Sequence, residues 1–282
     1  MRIPFVKMSG AGNDMVLIDH REAFLRGREA EFVCAVCHRR YGVGADGLIL
    51  LERDPEHDFF VRFFNPDGGE YGLCGNGSRC VPRFAREIGI PGPDYVFRSL
   101  SGVHRARLID ETTARVSLSP IRELRFDISV DLEGEARTMD WGDIGVPHGA
   151  FWVEDVAAVP IERWGPHLRY HAAFAPEGTN VSFVQVLSGN RLAIRTYERG
   201  IEGETWACGS GSAVVAALAH RKGLTGREVE FRVHSGETLT IRLDPDPAQA
   251  PELEGSARWC FEGVVETENL LPAPASGNAV TA

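Results

Sequence analysis

The amino-acid sequence predicts a mixed α/β (α+β) protein made of two similar domains, and three observations carry that prediction. Apolar or alternating runs of strand length recur along the chain. Glycine-rich turns precede two segments with helical, buried character. One register also repeats: residues 44–102 match residues 178–236 at an offset of 134 positions, with no gap.

The elements follow in chain order. Residues 14–19 (DMVLID) and 47–52 (GLILLE) are apolar runs of strand length. Residues 29–40 have a helical pattern with Phe32, Val33 and Val36 on one face. FVRFFNPDGG reads as a strand entering a Pro/Gly turn. RCVPRFAREIGI is helical. Pro82 fits only a first turn, which puts the helix start close to Ser78–Val81, and Gly89 ends it. YVFRSLSGVHRARLI and TARVSLSP alternate like strands. A second half opens near residue 121, after Pro120. SAVVAALAHRKG is a nearly all-apolar, buried helix stopped by Gly223, and EVEFRVHSGETLTIRL is a hairpin around Ser235-Gly236. DPDPAQAPELEG reads as a loop. The domains expected are 1–120, completed by a C-terminal strand near 261–270, and 121–260. The tail 271–282 is poor in hydrophobics and expected to be disordered.

With 282 residues, 43% hydrophobic and 25% charged, the chain can build a substantial core. The net charge is −10 and no Lys/Arg cluster marks a nucleic-acid face. No run reaches the ~20 apolar residues of a membrane span, and the start lacks the apolar core of a signal peptide. Six cysteines are too few for a disulfide scaffold, so they are expected to be reduced and the location cytoplasmic.

The repeat pairs GEYGLCGNGS (69–78) with GETWACGSGS (203–212), including Cys74 with Cys208, Gly75 with Gly209 and Gly77 with Gly211. It also pairs Phe97-Arg98 with Phe231-Arg232, Ser101-Gly102 with Ser235-Gly236, Gly44 with Gly178, and Asp46 with Asn180. Such a long period indicates duplicated domains, not a solenoid. Approximate two-fold symmetry puts Cys74 and Cys208 face to face across a cleft. Each cysteine stands before a helix N-terminus, where free N–H groups favour negative charge. The thiol pKa is therefore expected to fall. The N–H groups of Gly75-Asn76 and Gly209-Ser210 can hold a carboxylate and the oxyanion formed beside it. One thiolate takes an α-proton from an amino acid, the opposite thiol returns one to the other face, and the stereocentre inverts. A buried packing role, or a disulfide between the two thiols, is the competing reading.

These motifs resemble the diaminopimelate epimerase family across nearly the whole chain: SGAGNDMVLID, FNPDG followed by CGNGSRC, GTNVSF, and YERGIEGETWACGSGS. The resemblance implies a curled mixed β-sheet or barrel around a central helix in each pseudo-symmetric domain, with the active site in the cleft between them. It implies an isomerase of lysine and cell-wall precursor synthesis that interconverts LL- and meso-2,6-diaminopimelate. The partner is then a small-molecule amino acid, with no cofactor and no metal, and a homodimer is compatible. Cys74 and Cys208 would be the acid/base pair. Gly75, Asn76, Gly209 and Ser210 would grip the carboxylate, with Asn13 nearby. Asn65, Asn180, Glu198 and Arg199 would hold the distal end, and His148 with Glu198 would tune the thiols. Two positions depart from the family pattern. Val146 stands where an Asn is common, and Gly47 where some members carry a Gln. A racemase of another amino acid, or an isomerase of a small acid, shares all the other features.

Cys34-Ala-Val-Cys37-His38 has CxxC spacing, which a metal- or redox-binding protein would use, but no second CxxC follows and the flanks are not thioredoxin-like. It reads as a helix face with structural thiols. The glycine loops lack the Lys-Ser/Thr of a P-loop.

Overall fold

A computed structural model describes residues 1–270, so the tail expectation lies outside the described residues. In the first half β1 (Arg2–Gly10), β2 (Asn13–Asp19), β3 (Gly47–Glu52), β4 (Phe59–Phe64), β5 (Glu70–Tyr71), β6 (Asp94–Ser99), β7 (Gly102–Leu108) and β8 (Thr113–Ser117) curl around α2 (Gly75–Glu87). The second half repeats this with β9 (Glu123–Leu132), β10 (Glu135–Asp143), β11 (Pro147–Trp152), β12 (Asn180–Ser188), β13 (Arg191–Glu198), β14 (Gly203–Thr205), β15 (Glu228–Arg232), β16 (Thr238–Arg242) and β17 (Glu252–Ser256) around α4 (Gly209–Arg221). The last strand, β18 (Arg258–Glu266), returns to pair with β1.

Strand directions show the duplication. The order β18-β1-β2-β3-β4-β6-β7-β8 has parallel pairs only at β2–β3 and β4–β6. The order β9-β10-β11-β12-β13-β15-β16-β17 has them only at β11–β12 and β13–β15, the same positions. Antiparallel pairing of β8 with β17 joins the halves into one curled, unclosed sheet. Matched glycines share a backbone state, with φ +76° at Gly44 and +69° at Gly178, a region that L side chains avoid.

The helices α2 and α4 occupy the same register, 134 positions apart. Residues Ala213 to Ala219 of α4 are all buried, and Val214, Val215 and Leu218 each contribute about 1.5–3 kcal/mol by leaving water. Both helices close on a left-handed glycine, Gly89 with φ +86° and Gly223 with φ +73°. The next N–H then reaches back, from Ile90 to Ala85 and from Leu224 to Ala219. Two shorter helices, α1 (Glu29–Cys37) and α3 (Ile161–Arg169), pack on outer faces of the sheet with apolar clusters of their own.

Several expectations need correction. Helix α2 begins at Gly75, not near Ser78–Val81, which leaves Pro82 in its interior. An interior proline costs about 3 kcal/mol in an isolated helix. Here the capped first turn and burial on all sides outweigh it. Helix α1 stops at Cys37, short of residue 40, because the returning loop supplies Gly44 and Ala45 N–H groups to its last carbonyls. The end of DPDPAQAPELEG is strand β17, with Leu253 and Gly255 turned inward. β1, β5, β9 to β14 and α3 had no sequence assignment, although ELRFDISVDL of β9 alternates strictly.

Candidate active site

The duplication brings the N-termini of α2 and α4 together, head to head. A Cβ placed on Gly75 would lie 3.7 Å from the Gly209 Cα, and the reverse distance is also 3.7 Å. Only glycine permits that approach above Leu253, whose Cδ2 would be 2.5 Å from a Gly209 Cβ. The free N–H groups of two helices therefore converge on one place, and a single anion can face both positive helix ends.

Each helix is capped by one of the cysteines. Cys74 has extended backbone geometry, and its Sγ accepts a hydrogen bond from the Gly77 N–H at 3.3 Å. Its thiol points to Asn13 Oδ1 at 3.8 Å. Asn13 is itself fixed by its Nδ2 group donating to Asp46 Oδ2 at 3.1 Å. Cys208 holds the matching position, with Ser210 Oγ 3.6 Å from its Sγ. A Cβ on Gly211 would sit 3.2 Å from His148 Nδ1 and 3.3 Å from Cys208 Sγ, so the imidazole and the thiol border the same residue.

The expected fall in thiol pKa is not found; burial pushes both thiols up. At Cys74 the Gly77 N–H and the Tyr71 hydroxyl pull back against burial, while the Glu198 carboxylate adds to it. Cys208 is pushed well above its ordinary value by burial and then by the facing Glu198 carboxylate, which the Gly211 N–H and Ser210 hydroxyl only partly offset. Excluding water costs a thiolate more than one helix end returns. The two thiols are thus unequal, and Cys74 is the easier to ionise. Glu198 is also pushed up by burial, against bonds from Thr205 and Cys208. The Thr205 hydroxyl donates to Glu198 Oε1 at 2.5 Å.

His148 is fully buried, and among the described residues neither ring nitrogen has a hydrogen-bond partner. Burial, aided by the Arg199 charge, lowers its pKa to about 3. The sign of the stability effect follows. The unfolded chain binds this proton near pH 6.5 and the folded one only near 3, so stability is lost as pH falls through that window. By pH 4.5 the loss attributable to His148 is expected to reach about 2–3 kcal/mol. Urea unfolding of the wild type and His148→Leu at pH 7.5, 5.5 and 4.5 measures it. Parallel losses in the two proteins would show that His148 is not held neutral.

The remaining candidates fall into two groups. Asn180 pairs with His148 across β11–β12, and its Oδ1 accepts the Arg199 N–H at 2.7 Å. Arg199 extends toward Glu177, 3.7 Å from its Oε2. These three form one end of the site beside Cys208. Asn65 lies at the exposed turn after β4, and no side-chain bond ties it to the other candidates. The Asn76 side chain is buried and spans the halves, its Nδ2 group donating to the Ala207 carbonyl at 2.7 Å. Val146 is exposed with no polar side chain, and a side chain at Gly47 would meet the Phe64 carbonyl oxygen at 2.7 Å. This backbone therefore has no room for a Gln at position 47. Cys34 and Cys37 lie on α1, Cys37 is buried with its thiol pushed up to about 12, and among the described residues no cluster of His, Cys, Asp and Glu could hold a metal. Among those residues no helix is long and apolar enough to cross a membrane.

Sequence reasoning did not find Tyr71, Thr205 or Arg79 at this site. Tyr71 and Thr205 are repeat partners 134 positions apart, and each lies three residues before a cap or its equivalent; that shared spacing was the available signal.

Solved structures place the fold in a class. It superposes on a hydroxyproline epimerase from Agrobacterium vitis with TM-score 0.73 at 16% identity, covering 96% of this chain and 94% of that one. It superposes on a phenazine biosynthesis protein of the PhzF family from Bacillus anthracis with TM-score 0.72 at 15% identity, covering 94% and 99%. The duplicated, curled-sheet frame is thus one used by epimerases, and the chain is an isomerase of this epimerase type. More narrowly, it belongs to the diaminopimelate epimerase family, whose model matches residues 5–121 and 141–259. It is 42% identical to the diaminopimelate epimerase of Aquifex aeolicus over 94% of this chain and 99% of the relative. It is 39% identical to that of Archaeoglobus fulgidus over 96% and 99%.

Proposed function

We propose that this enzyme interconverts LL- and meso-2,6-diaminopimelate by two-thiol proton transfer. The observation that carries the reading is the head-to-head meeting of two helix N-termini, each capped by a cysteine. The α-carboxylate would lie between them, held by N–H groups of Gly75, Asn76, Gly209 and Ser210. One thiolate takes the α-proton: the Cα–H bond breaks, an S–H bond forms, and the electron pair moves toward the carboxylate. The opposite S–H then gives its proton to the other face of Cα. The N–H groups stabilise the charge that develops in between. Cys74 ionises more readily, and Asn13 orients it. Cys208 faces Glu198, which can accept its proton when the roles reverse, and neutral His148 helps keep the surroundings dry. Asn65, Asn180 and Arg199 would receive the distal amino acid group. In this reading residues 1–120 with β18 form one half-domain and residues 121–257 the other. The two-thiol mechanism needs both cysteines reduced, which supports a cytoplasmic location.

Incubation with a panel of amino acids in D₂O tests the assignment. Deuterium is expected at Cα of diaminopimelate, with inversion. Label entering only another amino acid would overturn the substrate, and Val146 and Gly47 would then be the first positions to examine.

A further inference from the structure

Arg79 is fully buried, yet it has no ion pair among the described residues. Its guanidinium occupies space left by two glycines: a Cβ on Gly10 would be 3.3 Å from its Nη2, and one on Gly255 would be 3.2 Å from its Nε. Nε donates to the Ser256 carbonyl at 3.2 Å. Nη1 donates to the Gly75 carbonyl at 3.3 Å and to Asn76 Oδ1 at 3.1 Å. Nη2 has no partner. Burial lowers the pKa to about 10, which leaves the group charged at neutral pH. Its repeat counterpart is Ala213, so the frame itself does not require a cation at this place.

A buried cation bonded only to neutral groups is costly unless a negative charge arrives. We propose that Arg79 is the buried counter-charge of the reacting carboxylate, a positioning residue that sets the α2 turn and makes the Cys74 half-site net positive. The inference rests on the two-thiol reading. Two routes carry the effect. The Gly75 carbonyl and the Asn76 N–H belong to one peptide unit. A cation on the carbonyl polarises that unit and strengthens the N–H that faces the carboxylate. The bond to Asn76 Oδ1 also fixes the side chain that reaches Ala207, next to Cys208. Arg79 therefore ties the turn carrying one thiol to the turn carrying the other.

The test compares Arg79→Met and Arg79→Lys with the wild type. One readout is the pH profile of iodoacetamide labelling at Cys74, followed by mass spectrometry of its peptide. The other is the KM for diaminopimelate. Arg79→Met is expected to move the Cys74 profile up by about one pH unit and to raise KM about tenfold. Arg79→Lys keeps the charge but loses the planar fork, so it is expected to hold the Cys74 profile near wild type while KM still rises. Folded Arg79→Met with an unchanged profile and unchanged KM overturns the proposal. If Arg79→Met does not fold, Arg79→Lys decides, and an unchanged KM there overturns it. The labelling profile needs no substrate. A wild-type enzyme inert toward diaminopimelate, with the Cys74 shift still present in Arg79→Met, would refute the substrate assignment and leave the electrostatic link to Cys74 standing.

Discussion

Replacing either Cys74 or Cys208 by alanine is expected to end inversion of diaminopimelate, lowering kcat/KM by about 10⁴-fold. The size follows from the geometry. Each cysteine holds the N-cap position of its own helix, and the two helices meet end to end, so each sulfur serves one face of the reacting carbon. No other group in the described site duplicates either one. Asn13 does not titrate, Glu198 reaches Cys208 and Thr205, and His148 is buried without a partner. A single thiol can still take a proton and return it to the same face. Each variant is therefore expected to exchange the α-proton of the stereoisomer facing its remaining thiol, without inversion. Proton NMR in D₂O separates exchange from inversion and assigns each thiol to a face. Full epimerisation by either single variant would sink the two-thiol mechanism. Folding controls are simple, because removing one sulfur leaves a small void and circular dichroism should be unchanged.

The duplication kept the frame and changed the chemistry around the two thiols. Tyr71 beside Cys74 has Thr205 as its counterpart, and Thr205 donates to Glu198. Glu198 corresponds to Phe64, His148 to Asp14, and Arg79 to Ala213. The Cys208 side thus carries a half-buried carboxylate and the Cys74 side a fully buried cation. Sequence reasoning read the frame well, because the frame lives in local signals: glycines at left-handed positions, cysteines at helix caps, and one repeat offset. It did not read the pairing of β8 with β17, because pairings between distant segments leave no local period. Pro82 misled the start of α2, since a local rule yielded to the cap at Cys74 and to burial. The thiol shift was misjudged for a related reason. A helix end is visible in sequence, whereas the extent of water exclusion is a property of the assembled halves. Arg79 shows the same limit. In RCVPRFARE it reads as one more helix arginine, and only the fold reveals that it is enclosed.

Gly10→Ala is expected to be the most damaging substitution outside the thiols, lowering kcat/KM by about 10²-fold or more and stability by about 2–4 kcal/mol. Gly10 ends β1 within the SGAGND stretch. An added methyl would press into the Asn76 carbonyl oxygen, lie 3.0 Å from the Asn76 carbonyl carbon and lie 3.3 Å from Arg79 Nη2. The obstacle is backbone, so no rotamer change relieves it. Either β1 withdraws, loosening its pairs with β2 and β18, or the first turn of α2 moves. A shift of that turn displaces the Cys74 cap, the Gly75-Asn76 N–H groups and the strut from Asn76 to Ala207 together. Positioning errors near 1 Å cost about 10²-fold in a site that works by orientation. Kinetics at a denaturant-free temperature well below melting separate the two effects, since an enzyme that is merely less stable regains full activity there. Wild-type kcat/KM in Gly10→Ala under those conditions would mean that the contact between β1 and α2 does not set the catalytic turn. A loss in kcat/KM together with slower iodoacetamide labelling of Cys74 would locate the damage at the cap, where the helix end and the thiol act as one unit.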